Sequence, residues 1–126
     1  SFNYLMASTD YFNEGLMLYK KEELDKAKFK FEQDIVYNPK NEKSYLYLSK
    51  IFNKKDNNEL EEKNLNTVIL LNPRNEEAIY NLAKLKLKNS DYTGSKTLLD
   101  KLLIFCKNYC KKSKDLKTEI EKSLKK

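Results

Sequence analysis

The chain has 126 residues, 40% apolar and 35% charged, with a net charge of +6 and a mean hydropathy of −0.81. Nine Tyr and six Phe can carry a core despite that polarity, while two Gly and two Pro leave too little turn chemistry for a many-stranded β fold. The lack of His removes the commonest general base and neutral metal ligand, so the composition points to one helical, non-catalytic domain. The longest apolar runs, Val68 to Leu71 and Leu102 to Cys106, are far too short to cross a bilayer.

In chain order, Ser1 opens without Met, basic n-region or apolar h-region, so the chain reads as a piece of a longer protein. Residues 1–7 read as the end of a preceding element or as an extension of the first helix. From residue 8 onward the chain repeats itself. Asn38-Pro39-Lys40-Asn41-Glu42 returns as Asn72-Pro73-Arg74-Asn75-Glu76, 34 residues later. The same offset relates Tyr11, Tyr45 and Ile79; Gly15, Ser49 and Ala83; Phe31, Leu65 and Leu99; and Ile35, Ile69 and Leu103. It defines repeats at 8–41, 42–75 and 76–109.

Each repeat reads as a helix–turn–helix. Apolar residues recur at helical spacing in the first half (Tyr11, Phe12, Leu18, Tyr19) and again in the second (Leu24, Ala27, Phe31, Ile35). A small residue at Gly15, Ser49 and Ala83 lets the paired helices approach closely. Pro39 and Pro73 stop the second helices, and Asn41 and Asn75 cap the next first helices, with Glu42, Glu76 and Glu77 in their first turns. The expected turns centre on 20–22, 38–41, 54–57, 72–75, 88–91 and 110–113. The expected core is Tyr11, Gly15, Phe31, Ile35, Tyr45, Leu48, Leu65, Ile69, Leu82, Leu99 and Leu103. Beyond the third repeat, Leu116, Ile120 and Leu124 make one apolar stripe on a capping helix at 113–126, which should dock over Leu102, Phe105 and Cys106. The expected fold is all-α, an α-solenoid of antiparallel helix–turn–helix repeats with about seven helices.

The last 20 residues hold eight Lys against three acids, whereas residues 1–106 are close to neutral. That basic tail reads as a solvated helix, with a contact to nucleic acid or anionic lipid as the alternative. Cys106 and Cys110, four apart, read as small buried apolar residues on one helical face, because two thiols without imidazole complete neither a disulfide framework nor a zinc site. Unbridged cysteines point to a cytoplasmic scaffold; a membrane-tethered or periplasmic domain of a bacterial protein is the alternative.

These residues resemble the tetratricopeptide repeat, whose pattern has a small residue at position eight, Ala at twenty, a large residue at twenty-four and Pro at thirty-two. Repeat one matches with Gly15, Ala27, Phe31 and Pro39, and repeat two with Ser49, Leu65 and Pro73 but Glu61 in place of Ala. Repeat three matches with Ala83, Ser95 and Leu99 but has Lys107 in place of Pro. The resemblance covers about residues 8–109 and implies a protein-interaction module that binds its partner in a concave groove lined by first helices. The groove positions are Phe12, Asn13, Leu16, Tyr19, Lys20, Leu46, Tyr47, Lys50, Lys54, Tyr80, Asn81, Lys84, Leu87 and Lys88. They suit a peptide with apolar anchors and acidic residues. One subclass of the family grips the C-terminal carboxylate of chaperone tails. Its positions fall here on Phe12, Leu16, Tyr47, Glu77 and Asn81, which offer no cation, so no such clamp is expected.

No cofactor, metal or catalytic residue is expected. Adjacent carboxylates such as Glu22-Glu23 and Glu61-Glu62 diverge by about 100° on a helix and cannot share a substrate. RNA binding by a helical array is an alternative, weakened by a single Arg, and a self-associating or spacer domain is another.

Overall fold

The computed structural model describes residues 10–125, which form seven helices and no strand. They are α1 (Tyr11–Lys20), α2 (Leu24–Tyr37), α3 (Glu42–Lys54), α4 (Asn58–Leu71), α5 (Glu76–Lys88), α6 (Tyr92–Phe105) and α7 (Cys110–Leu124). The expectations for residues 1–7 and for a repeat starting at residue 8 lie outside the described residues. α2, α4 and α6 begin at Leu24, Asn58 and Tyr92, and α3, α5 and α7 at Glu42, Glu76 and Cys110, so both series keep the 34-residue spacing. The chain divides into two compact units, one ending at Thr67 and one beginning at Val68, within α4.

In the first unit, Ala27 and Phe31 of α2 pack with Leu48, Ile51 and Phe52 of α3. In the second, Ala83 of α5, Leu99 of α6 and Leu116 and Ile120 of α7 share a core. Of the expected core residues, Gly15, Phe31, Leu48, Leu65, Leu82 and Leu99 are buried, whereas Tyr11, Ile35, Tyr45, Ile69 and Leu103 are half-buried. The two tyrosines sit at the margin for a physical reason. Tyr11 stacks on exposed Tyr37 at 5.6 Å, and the Tyr45 hydroxyl donates to the Pro39 carbonyl at 2.9 Å.

The turns inside the three helix pairs share one geometry. Glu22, Asp56 and Ser90 are left-handed, with φ of 61°, 56° and 62°, and they too are 34 residues apart. The next residues, Glu23, Asn57 and Asp91, donate their N–H to the carbonyls of Leu18, Phe52 and Lys86, five residues back, at 2.8 to 2.9 Å. This closes the first helix while reversing the chain. Glycine would normally take the left-handed position, and an L side chain there costs about 1 kcal/mol.

The joints between pairs differ more. From α2 to α3 the joint is polar. Asp34, 1% exposed, accepts from the Ser44 hydroxyl at 2.5 Å, the Asn41 amide at 2.8 Å and the Asn38 amide at 3.0 Å. Asn41 and Asn75 cap as expected, accepting from the N–H of Lys43 and Ala78.

From α6 to α7 the expectation is corrected. The turn occupies residues 106–109 rather than 110–113, and the last helix starts at Cys110 rather than at 113. Two constraints move it. Glu76 Oε1 accepts the backbone N–H groups of Lys107, Asn108 and Tyr109 at 2.9 to 3.0 Å, which satisfies donors just before α7. Cys106 and Cys110 are bonded to each other, which corrects the reading of free, buried thiols on one helix. Their four-residue spacing spans a turn, and disulfides persist in oxidising surroundings, so the ground for a cytoplasmic placement falls away. Leu116 and Ile120 are buried as the stripe requires, but Leu124 is 55% exposed. Lys117 pairs with Asp100 at 2.6 Å and Lys96 with Glu121 at 3.9 Å, tying α7 to α6.

Glu22→Gly and Ser90→Gly should each raise stability by about 0.5–1 kcal/mol in chemical denaturation, and Asp56→Gly by less, because Asp tolerates the left-handed region better. Burial raises the Glu76 carboxyl pKa, but the three backbone N–H groups and the charge of Lys107 together outweigh it and hold the group below its ordinary 4.5. The stabilisation is therefore full above that value and is lost as pH falls through the lower folded value. Glu76→Gln should cost about 1 kcal/mol at neutral pH, and thermal unfolding across pH should show the gap closing as the pH falls below 4.5. A gap independent of pH would contradict that role for the carboxylate.

Candidate partner-binding face

In the first unit, α1 and α3 present a layer of rings over the core. Phe31, fully buried, lies beneath Tyr47 at 5.4 Å with nearly parallel planes (18°). Phe12 meets Phe31 at 5.7 Å and the edge of Tyr47 at 6.0 Å, and Tyr19 meets Tyr47 edge-on at 5.1 Å. Helical spacing then sets cations on the layer. Lys50 Nζ stands 4.8 Å above the Tyr47 ring, three residues along α3, and Lys54 Nζ of α3 lies 4.9 Å above the Tyr19 ring of α1. Each cation–π contact contributes about 0.5–1 kcal/mol at an exposed site and fixes where the charge is held.

The second unit has its own version. Tyr80 of α5 packs against Tyr109 at 5.4 Å, with Lys84 Nζ 5.2 Å over Tyr80 and Lys112 Nζ 5.1 Å over Tyr109. Burial, with the charges of Glu119 and Asp115 from α7, pushes the Tyr80 phenol up from 10.0. It therefore stays a neutral hydroxyl donor at physiological pH. This cluster carries acids as well as cations at its rim.

The structure brings together Phe12, Tyr19, Tyr47, Lys50 and Lys54 in one unit and Tyr80 and Lys84 in the other. Asn13, Lys20 and Lys88 are exposed, and Leu16, Asn81 and Leu87 are half-buried. Leu46 departs from expectation. It is 8% exposed and so buried, although it shares a helical stripe with Lys50 and Lys54. Tyr109 and Lys112 lie outside the expected groove positions, since repeat three ends without the Pro that marks the others. A local signal does exist: Tyr109 and Lys112 are spaced like Tyr47 and Lys50. Among the described residues no group of three or more His, Cys, Asp or Glu could hold a metal ion. None of the described helices is long and apolar enough to cross a membrane.

No family model and no curated protein matches the sequence. Solved structures do resemble it. The first repeat domain of Spaghetti (RPAP3), bound to the HSP90 peptide SRMEEVD, superposes with a TM-score of 0.82 at 14% identity, covering 92% of this chain and 91% of that one. The Sgt2 repeat domain from Aspergillus fumigatus gives 0.79 at 18% identity over 95% and 83% of the two chains. The Yersinia enterocolitica type III secretion chaperone SycD, in complex with a peptide of the translocator YopD, gives 0.74 at 13% identity over 92% and 88%. The chain has the fold of a tetratricopeptide-repeat domain.

Proposed function

We propose that the chain is a non-catalytic interaction module that binds a peptide or protein segment on the first-helix faces. The observation that carries this reading is the placement of ammonium groups over tyrosine rings: Lys50 and Lys54 on one cluster, Lys84 and Lys112 on the other. Rings give contact area at low entropic cost, and Lys supplies charge without the fixed fork that would demand one ligand shape. Such a face suits a segment with apolar anchors and acidic residues. Support also comes from similar structures described with peptides bound: RPAP3 with an HSP90 peptide and SycD with a YopD peptide. A chaperone-tail clamp does not fit, because Phe12, Leu16, Tyr47 and Asn81 carry no cation and Glu77 would repel a carboxylate.

The ring layer constrains how this is tested. Tyr47 stacks on Phe31, so Tyr47→Ala would remove packing as well as contact area, and the lysines are the cleaner probes. Peptides selected from a random displayed library should be enriched in acidic and apolar residues. Lys54→Glu with Lys84→Glu should weaken their binding by about tenfold or more, slow association and flatten its salt dependence, with little change in melting temperature. If binding survives both changes and is lost on reversal of exposed Lys63, the first-helix face is not the site.

A further inference from the structure

The most exposed large apolar residues share one repeat position. Val36, Leu70 and Ile104 are 74%, 82% and 85% exposed, and each follows the last by 34 residues, near the end of a second helix. Neither ring cluster uses them, and nothing in the packing requires an aliphatic residue there.

In the second unit these residues have a charged setting. The Arg74 guanidinium lies 5.2 Å from the centre of the Phe105 ring, which brings together the segments that follow α4 and end α6. Leu70, four residues before Arg74, and Ile104, beside Phe105, are therefore exposed at the same end of this unit. Lys101 lies one turn before Ile104 on α6, and Lys107 lies three residues after it; both are exposed. Nearby acids are engaged: Asp100 pairs with Lys117, and Glu76 accepts three backbone N–H groups. Residues 68–126 carry 14 basic and seven acidic side chains, a net of +7, whereas residues 1–67 carry 11 and 12, a net of −1. Positive charge thus gathers in the unit that exposes Leu70 and Ile104.

We propose that this end of the second unit docks on an anionic lipid surface, with Leu70 and Ile104 entering the headgroup–acyl boundary and Arg74, Lys101 and Lys107 meeting lipid phosphates and carboxylates. Exposed aliphatic side chains beside lysines suit a bilayer boundary, where apolar insertion and charge attraction add. RNA would use neither aliphatic side chain, since bases stack on rings and guanidinium planes. The contact is reversible, because two side chains and a few cations make a weak anchor.

Co-sedimentation with vesicles tests it, comparing pure phosphatidylcholine with mixtures rich in phosphatidylserine. The whole chain should pellet with the anionic vesicles at low salt, remain in solution with neutral ones, and be released by high salt. Lys101→Glu with Lys107→Glu should weaken binding by about tenfold or more, given the contribution of each cation near such a surface. Leu70→Gln with Ile104→Gln should also weaken it severalfold without changing the melting temperature, because both side chains are already exposed. Lys54→Glu on the ring layer should leave vesicle binding unchanged, so this proposal and the peptide-binding reading fail separately. Failure to bind anionic vesicles, full binding by the Leu70/Ile104 variant, or binding to single-stranded RNA but not to vesicles would each overturn it.

Discussion

The close approach of two helices at Gly15 is the constraint on which the first unit depends. A Cβ built there would stand 2.8 Å from the Phe31 ring, closer than packed carbon atoms come. The space is used: Phe31 fills it, lies beneath Tyr47 and meets Phe12, and Tyr47 in turn holds Lys50 above its face. The position of a surface charge is thus inherited, through three side chains, from a residue that has none. The other repeats meet the same requirement with different volumes. Ser49 and Leu65 are both buried in repeat two, as are Ala83 and Leu99 in repeat three. A smaller residue at position eight goes with a larger one at twenty-four, which is how close packing conserves volume across unlike sequences. In repeat three, the Ser95 hydroxyl donates to the Ala83 carbonyl at 2.7 Å, a bond that requires the same closeness.

The joints between helix pairs are where the repeats diverge. Position twenty-seven is buried as Asp34, Val68 and Leu102, so one helix end is fixed by a charged hydrogen-bond hub and the equivalent positions are apolar. The hub works because three donors converge on its carboxylate, since an unpaired buried charge would cost far more than the packing it replaces. At the α6–α7 joint, one carboxylate oxygen gathers three consecutive backbone N–H groups and a disulfide closes the turn. Chain reversal, side-chain network and covalent bond meet one geometric demand by different chemistry.

This pattern also explains what could be read from the sequence. The helix pairs, the Asn caps and the 34-residue spacing were legible because each rests on a local rule with a residue signature: Pro39 and Pro73 as stops, Asn41 and Asn75 as caps, small residues at Gly15, Ser49 and Ala83. The left-handed turns were not, because Glu22, Asp56 and Ser90 stand where glycine would have marked them. The disulfide has no such signature, because a spacing of four suits one helix face as well as a turn between helices. Glu76 looked like an ordinary first-turn acid, and its reach to residues 107–109 is a tertiary contact that no local pattern encodes. On the ring layer, aromatic and Lys positions were legible by spacing, but their mutual stacking was not. That stacking makes Tyr47 part of the packing as well as part of the surface.

Gly15 and Phe31 are coupled through volume. A double-mutant cycle on Gly15→Ala and Phe31→Leu, read by chemical denaturation, measures this directly, because the double variant carries the Ala–Leu pair of repeat three. Gly15→Ala alone should destabilise the chain by about 1–3 kcal/mol from overpacking. In the Phe31→Leu background the same change should be neutral or stabilising, because the methyl group has room and alanine favours the helix by about 1 kcal/mol. A coupling of at least about 1 kcal/mol is the predicted result, and additive effects of the two substitutions would contradict the account.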